Sequence, residues 1–251
     1  MDYEVNTDKI EGRNPVMEAL RSGREIDKLL VAKGEKNGSI VKIVARAKAE
    51  GIVVSEVERA KLDAMSETKA HQGVIALTAV KAYASVADLL ERAKRKGEPP
   101  FLVICDEVTD PHNLGAIIRT ANAAGAHGVI IPKRRSAGLN AVVAKTSAGA
   151  VEFTPVARVS NIAQTIEKLK KENVWVIGAD MDGANDIYAQ DFSGAVAIVI
   201  GSEGNGISPL VKQQCDFLTR IPMLGEITSL NASVAGALMI YEVVRARKAV
   251  K

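Results

Sequence analysis

Two rhythms of apolar residues run along this chain, and the change between them falls near residue 100. Before it, short apolar runs alternate with amphipathic stretches. Segments 25–32 (EIDKLLVA), 52–57 and 74–80 read as strands, and 39–50 reads as a helix. Residues 12–20 read as a loop opening a helix, with Asn14 as N-cap and Pro15 at the first helical position. Such alternation predicts a small α/β unit. Residues 81–100 read as a connector: a charged helix over 87–96 (ADLLERAKRK), then the breaker Gly97-Glu98-Pro99-Pro100.

From 101 onward the alternation becomes regular. Strands are expected at 101–105, 128–131, 174–177, 196–200 and 218–221, with helices at 114–124, 140–148 and 162–172. The run VAIVI at 196–200 is unbroken, as in a parallel strand covered on both faces. Ser208 and Pro209 open a further helix as N-cap and N1, and Ser229 is expected to cap a long last helix reaching about 248. Leu230, Val234, Leu238 and Tyr241 follow one another at helical spacing, so that stripe is either core or a dimer contact. The expected organisation is 1–78, a connector at 79–99, and a larger α/β domain with a parallel sheet at 100–251.

Composition changes this picture little. The chain is 47% hydrophobic and 25% charged, as in ordinary globular proteins, and its net charge of +3 suits a nucleic-acid partner without requiring one. Cys105 and Cys215 lie in or beside apolar runs and form no cluster with histidines, which argues for buried thiols and against a metal. Met-Asp-Tyr-Glu-Val lacks the features of a signal peptide, and no apolar stretch is long enough for a membrane span, so a cytoplasmic protein is expected.

Candidate chemistry gathers in three polar patches at expected strand ends, where open α/β sheets place ligands. The first holds Asn113 and Gly115 ahead of a helix carrying Arg119 and Thr120, with His112 adjoining. A helix N-terminus favours an anion or ribose oxygen, while an arginine in AIIRTANAAG is either functional or a rim residue covering apolar surface. The second patch is Gly201-Ser-Glu203-Gly-Asn-Gly206, after the strand at 196–200. It lets backbone approach a flat ligand, yet is neither a Walker loop nor a dinucleotide fingerprint, and a bare tight turn would look the same. The third runs from Ile221-Pro-Met223 to Ser229-Leu-Asn231-Ala-Ser233 and suggests a loop closing over a ligand.

In order, the patches resemble the N-x-G-x-x-x-R-T, G-x-E-x-x-G and I-P-M-x-G-x-x-x-S-L-N-x-S-x-A motifs of the SpoU ribose methyltransferases of the SPOUT superfamily, with Ala235 in the closing position. The likeness covers about 100–248. Gly12-Arg13-Asn14-Pro15-Val16 and His71-Gln72-Gly73 extend it, resembling the small L30e-like RNA-binding domain of the RlmB/TrmH branch. The resemblance implies an α/β domain with a deep trefoil knot, an exception to the avoidance of knots. It implies S-adenosylmethionine held near Ile177, Gly178, Ala179, Gly201, Ile221, Met223, Leu230 and Asn231, and a homodimer through the last helix. It also implies methyl transfer to a ribose 2′-hydroxyl, with a guanosine of 23S rRNA as the expected target and a tRNA enzyme of TrmH type as the alternative.

Asn113, Arg119, Glu203, Ser229 and Asn231 are the expected catalytic groups. The family casts Arg119 as base, but guanidinium stays protonated and is a poor proton acceptor, so Arg119 is expected to clamp phosphate or ribose. The proton would leave through phosphate, Glu203 or water. RNA contacts are expected from Arg13, Arg119 and the triplet Lys133-Arg134-Arg135. A silent RNA-binding or assembly protein of the same fold is a competing reading, against which the intact polar motif residues argue. A nicotinamide oxidoreductase is disfavoured by the missing fingerprint.

Overall fold

The computed structural model describes residues 9–35 and 38–249; the N-terminal segment read for a signal peptide lies outside them. The chain divides into two compact units, one of residues up to Ala82 with Gly138–Ala141, the other of Tyr83–Ala137 with Val142 onward.

The first unit contains β1 (Lys9–Glu11), α1 (Arg13–Arg21), β2 (Ile26–Ala32), α2 (Ser39–Ala49), β3 (Val53–Val57), α3 (Arg59–Met65) and β4 (Val74–Thr78). Its sheet runs β1-β4-β2-β3, with β2 and β3 parallel and the other pairs antiparallel. Helix α1 starts earlier than its sequence suggests: Gly12, at φ 93°, is the cap, and Asn14 and Pro15 lie inside the first turn. The short helix α3 is not expected from the sequence, because seven residues carry too little periodicity to register.

The two motif pieces of this unit turn out to be neighbours. Gly12 N–H donates to the Val74 carbonyl, and the Arg13 N–H and Nε donate to Gln72 Oε1 and its carbonyl at 3.2 and 3.0 Å. Buried His71 accepts from Gly73 N–H on Nδ1 and meets Asp63 through Nε2, shaping the turn into β4.

The second unit contains α4 (Val86–Lys96), β5 (Phe101–Cys105), α5 (Pro111–Ala123), β6 (Gly128–Pro132), α6 (Ala141–Thr146), β7 (Val156–Val159), α7 (Ile162–Lys171), β8 (Trp175–Ala179), β9 (Asn185–Asp186), β10 (Val196–Ile200), α8 (Pro209–Gln214), β11 (Phe217–Arg220) and α9 (Ala232–Ala249). Its seven strands are all parallel in the order β7-β6-β5-β10-β8-β11-β9. FLVIC and VAIVI are buried at every position, as strands covered on both faces must be. The helix read as part of a connector is built into this core: Ser85 and Asp88 cap α4 reciprocally, and Leu89 and Ala93, one turn apart, are buried.

Two helix starts differ from expectation, and both matter for the site. Helix α5 begins at Pro111 with Asp110 accepting from His112 N–H, so Asn113 and Gly115 lie within the helix rather than ahead of it. Proline supplied the start signal at N1, which the apolar pattern from Leu114 concealed. At the other end, Asn231 rather than Ser229 caps α9: its Oδ1 accepts from the N–H groups of Ser233 and Val234 at 2.9 and 3.3 Å. The face of α9 that packs inward is Gly236, Met239, Ile240 and Val243, while Leu230, Val234, Leu238 and Tyr241 are exposed. Gly236 allows this approach, since a Cβ there would lie 2.7 Å from Ile200 Cδ1.

Candidate active site

The carboxyl ends of β5, β8, β10 and β11 lie side by side in the sheet, and each feeds a polar loop. Asp106, directly after β5, is buried; its Oδ2 accepts from Ser208 N–H at 2.7 Å, and its own N–H donates to the Ile200 carbonyl. This ties the segment leaving β5 to the start of α8 across 102 residues of sequence. Ser208 itself makes no side-chain cap for α8; Pro209 stands at N1 as expected.

The loop after β10 is held closed by its backbone, with Ser202 Oγ donating a further bond to the Gly206 carbonyl at 3.3 Å. Ser202 and Gly206 exchange N–H···O bonds, both 3.0 Å. A Cβ on Gly201 would lie 2.1 Å from Gly206 C and 2.4 Å from Ile207 N, so only glycine permits this closure. Gly115, by contrast, serves packing: a Cβ there would strike Thr146 of α6.

Asn231 joins all three patches. Its Nδ2 donates to Asn113 Oδ1 at 2.9 Å and to Glu203 Oε1. Its Oδ1, besides capping α9, accepts from Ser233 Oγ at 2.6 Å. The amide orientation follows from these partners, since only its NH2 group can donate to two oxygens. Asn113 is buried, and its Nδ2 has no hydrogen-bond partner among the described residues.

Next to this cluster lies a cavity of about 520 Å³, within the range of small-molecule sites. Residues 200–207 form one wall; Ile221, Met223 and 228–230 form another; Asp180, Met181, Asp182 and Lys212 complete it. Of the residues expected around a cofactor, Ala179, Gly201, Ile221, Met223 and Leu230 line the cavity, as does Ser229. Ile177 and Gly178 do not; they are buried in β8, where a Cβ on Gly178 would press on Ile207 and Leu218. Asn231 stands between lining residues Leu230 and Ala232.

The sequence reading missed Asp180, Asp182 and Lys212. Two acids after a strand were a visible signal, but their partner Lys212 lies some thirty residues on. The Lys212 ammonium is held above its usual range by its hydrogen bonds to Asp180 and Asp182.

The expected basic residues fare differently. Arg119 is exposed on α5, and six residues at 100° each turn it well away from Asn113 and about 9 Å along the axis. The fold of one chain therefore does not bring these two side chains together. Arg135, at φ 55°, pairs with Glu107 at 2.9 Å, setting the triplet against the β5–α5 loop, where Ala137 N–H also donates to the Val108 carbonyl. Lys133 and Arg134 are exposed beside it. Arg13, expected at an RNA surface, directs its guanidinium to Glu35 at 3.0 Å and to the Gln72 carbonyl.

Burial pushes the Cys105 thiol up to about 12, which removes it as a nucleophile. No group of three or more His, Cys, Asp or Glu among the described residues is placed to hold a metal, and no described helix is long and apolar enough to cross a membrane.

Comparison with known proteins agrees with this geometry. The SpoU rRNA methylase family matches residues 100–241, and the family described as RNA 2′-O ribose methyltransferase substrate binding matches residues 9–84. A putative TrmH family tRNA/rRNA methyltransferase of Bacillus subtilis, YacO, is 49% identical over 243 residues, covering 97% of each chain. An AdoMet-bound rRNA methyltransferase from Sinorhizobium meliloti is 27% identical with a TM-score of 0.57, covering 96% of this chain and 88% of that one. The SpoU methyltransferase AviRb of Streptomyces viridochromogenes, at 24% identity and a TM-score of 0.61, covers 96% and 90% and shares the fold. By these matches the chain belongs to the SpoU rRNA methylase family, and it is an RNA methyltransferase.

Proposed function

We propose that this chain transfers a methyl group from S-adenosylmethionine to a ribose 2′-hydroxyl of RNA, with a guanosine of 23S rRNA as its target. The observation that carries this reading is the Asn113–Asn231–Glu203 cluster beside a cavity walled by the two loops. The cavity suits the donor: the closed glycine loop offers backbone to a flat base, Ile221, Met223 and Leu230 offer apolar cover, and carboxylates are available to a cationic tail. S-adenosylmethionine supplies an already activated methyl group, so the protein's task is to align the hydroxyl and assist loss of its proton.

Asn113, with both N–H groups of its amide uncommitted, orients the ribose or an adjoining phosphate oxygen. Glu203 accepts from Asn231 through Oε1 and keeps Oε2 for a proton or hydroxyl. Ser229, on the cavity wall, holds the loop against the donor. Arg119 clamps the RNA as a fixed positive charge rather than acting as base. Lys133 and Arg134 add phosphate contacts. The N-terminal unit, matched by a substrate-binding family, supplies RNA recognition, and its presence favours the rRNA reading.

A homodimer follows from the same reading, supported by the exposed stripe Leu230, Val234, Leu238 and Tyr241, which would be covered by a second copy. Light scattering should then give twice the chain mass of 26.7 kDa. The trefoil knot is part of the proposal too, supported by the way the segments after β10 and β11 wall a single cavity.

Arg119→Ala should reduce methyl transfer to RNA by about 100-fold or more while S-adenosylmethionine affinity, by calorimetric titration, stays within about twofold. Retained turnover would remove Arg119 from the mechanism. Mapping 2′-O-methyls by mass spectrometry in a strain lacking the gene should show one rRNA methyl lost; loss of a tRNA methyl instead would overturn the target.

A further inference from the structure

The cavity wall carries an imbalance of charge that neither the motifs nor the RNA chemistry requires. Asp180, Asp182 and Glu203 face it with Lys212 as the counter-charge, an excess of negative charge in a chain of net +3. Asp180 is the most enclosed of the Asp180–Asp182–Lys212 group: its side chain is 11% exposed, against 85% for Asp182 and 30% for Lys212. Its backbone is pinned by N–H donation to the Thr219 carbonyl at 2.9 Å. Oδ1 accepts from Lys212 Nζ at 2.7 Å and from Asp182 N–H at 3.0 Å. Oδ2 has no partner among the described residues and lies 4.0 Å from where a Cβ on Gly206 would stand. One carboxylate oxygen is therefore anchored, while the other faces the glycine loop across the cavity.

Resting on the S-adenosylmethionine reading, we propose that Asp180, positioned by Lys212, is a specificity-determining residue that favours the cationic donor over its own demethylated product. Before transfer the ligand carries a sulfonium and an ammonium against one carboxylate, a net charge of +1. When the methyl passes to the ribose oxygen, the S–C electron pair stays on sulfur, the hydroxyl proton leaves, and the remaining thioether ligand is neutral overall. A negatively charged wall attracts the first and is nearly indifferent to the second, and Asp180, the enclosed acid, is the one least screened by water. Release of the spent ligand is thereby built into the cavity's charge rather than into its shape. Lys212 moderates the effect: its hydrogen bond orients Asp180, and its charge cancels part of the field.

The test is calorimetric titration of the full chain with S-adenosylmethionine, with its stable cationic analogue sinefungin, and with S-adenosylhomocysteine. Thermal unfolding serves as a check that each variant is folded. Asp180→Asn, which keeps shape, should weaken both cationic ligands by about tenfold and S-adenosylhomocysteine by less than about threefold, with the gap narrowing at high salt. Lys212→Gln, which leaves the wall more negative, should move the cation-to-neutral ratio the other way. Equal losses for all three ligands, or an unchanged ratio in both variants, would overturn the charge argument while leaving the donor assignment standing. Failure of the unaltered protein to bind any of the three would overturn the donor assignment itself.

Discussion

The two ends of the seven-stranded sheet are both polar, both partly open, and yet differ in what their polar groups have left to offer. At the amino ends of the strands, buried His127 accepts from Phe101 N–H on Nδ1 at 3.0 Å and meets Glu98 through Nε2. Arg247 donates to the carbonyls of Pro100 and Gly194 and lies over the Phe101 ring. A cavity of about 440 Å³ adjoins these residues, not much smaller than the one at the carboxyl ends. Volume therefore does not separate a site from a seam. Access of the unmatched groups does: at the amino end the polar groups tie strand ends together, and the buried donor left unmatched there among the described residues, Arg247 Nε, is enclosed beyond the reach of a ligand. At the carboxyl end Asn113 Nδ2 and Asp180 Oδ2 remain available beside a cavity. Unmatched groups that are not enclosed leave a ligand something to pair with, whereas an enclosed one does not.

Glycine gives the sharpest way to break this comparison. Gly201→Ala forces a Cβ into the Gly206 backbone, and S-adenosylmethionine affinity should fall by about 100-fold, with a loss of stability of about 1–3 kcal/mol from overpacking. At the amino end, a Cβ on Gly194 would meet nothing within 4 Å, so Gly194→Ala should change stability by no more than about 0.5 kcal/mol and leave affinity alone. Calorimetry and chemical denaturation on both variants decide it; similar effects at the two glycines would erase the contrast.

Asn231→Ala is expected to have an intermediate effect. It removes the cap of α9, worth about 0.5–2 kcal/mol, and also the link between Asn113 and Glu203. Asn231→Asp keeps the capping oxygen but not the donating amide. It should recover stability in denaturant titration without recovering turnover, and parallel recovery of both would reduce Asn231 to a cap.

The smallest effect belongs to His127, whose pKa is lowered from 6.5, chiefly by burial. The folded state holds it neutral, so above about pH 6.5 its protonation does not oppose folding. As pH falls below that value the unfolded chain takes up the proton first, and stability declines until the depressed folded value is passed. His127→Gln should flatten the decline in stability below about pH 6.5 while leaving donor affinity within about twofold; an unchanged slope would assign the pH dependence elsewhere.

Much of this molecule was legible from its pattern of apolar and polar residues. The fully buried strands at 101–105 and 196–200 announce a parallel sheet, and Ser208-Pro209 marks a helix start that the structure keeps at Pro209. The second and third patches follow strands directly as expected, because turns and caps use residue types that the chain itself displays, while the first lies inside α5. Short elements were missed, among them α3, β7 and β9, since a few residues hold too little periodicity. Periodicity also marked the stripe Leu230, Val234, Leu238 and Tyr241 on the last helix without saying whether it faces inward. Gly236 against Ile200 settles that, a contact made only after β10 is in place.

What sequence alone determined was therefore the longer elements, their order, and the residue types waiting at their ends. What tertiary structure decided was which of those ends meet. The sheet order sets β10 between β5 and β8, and from that placement come Asp106 on Ser208, Asn231 on Asn113 across 118 residues, and the loop walls of one cavity. Asp180 with Lys212 and Arg13 with Gln72 are of the same kind: charged or polar residues unremarkable in sequence whose roles depend on a distant partner. The physical reason is that local propensity acts over a turn or two, whereas hydrogen-bond partners are assigned by how strands pack, which no local window contains.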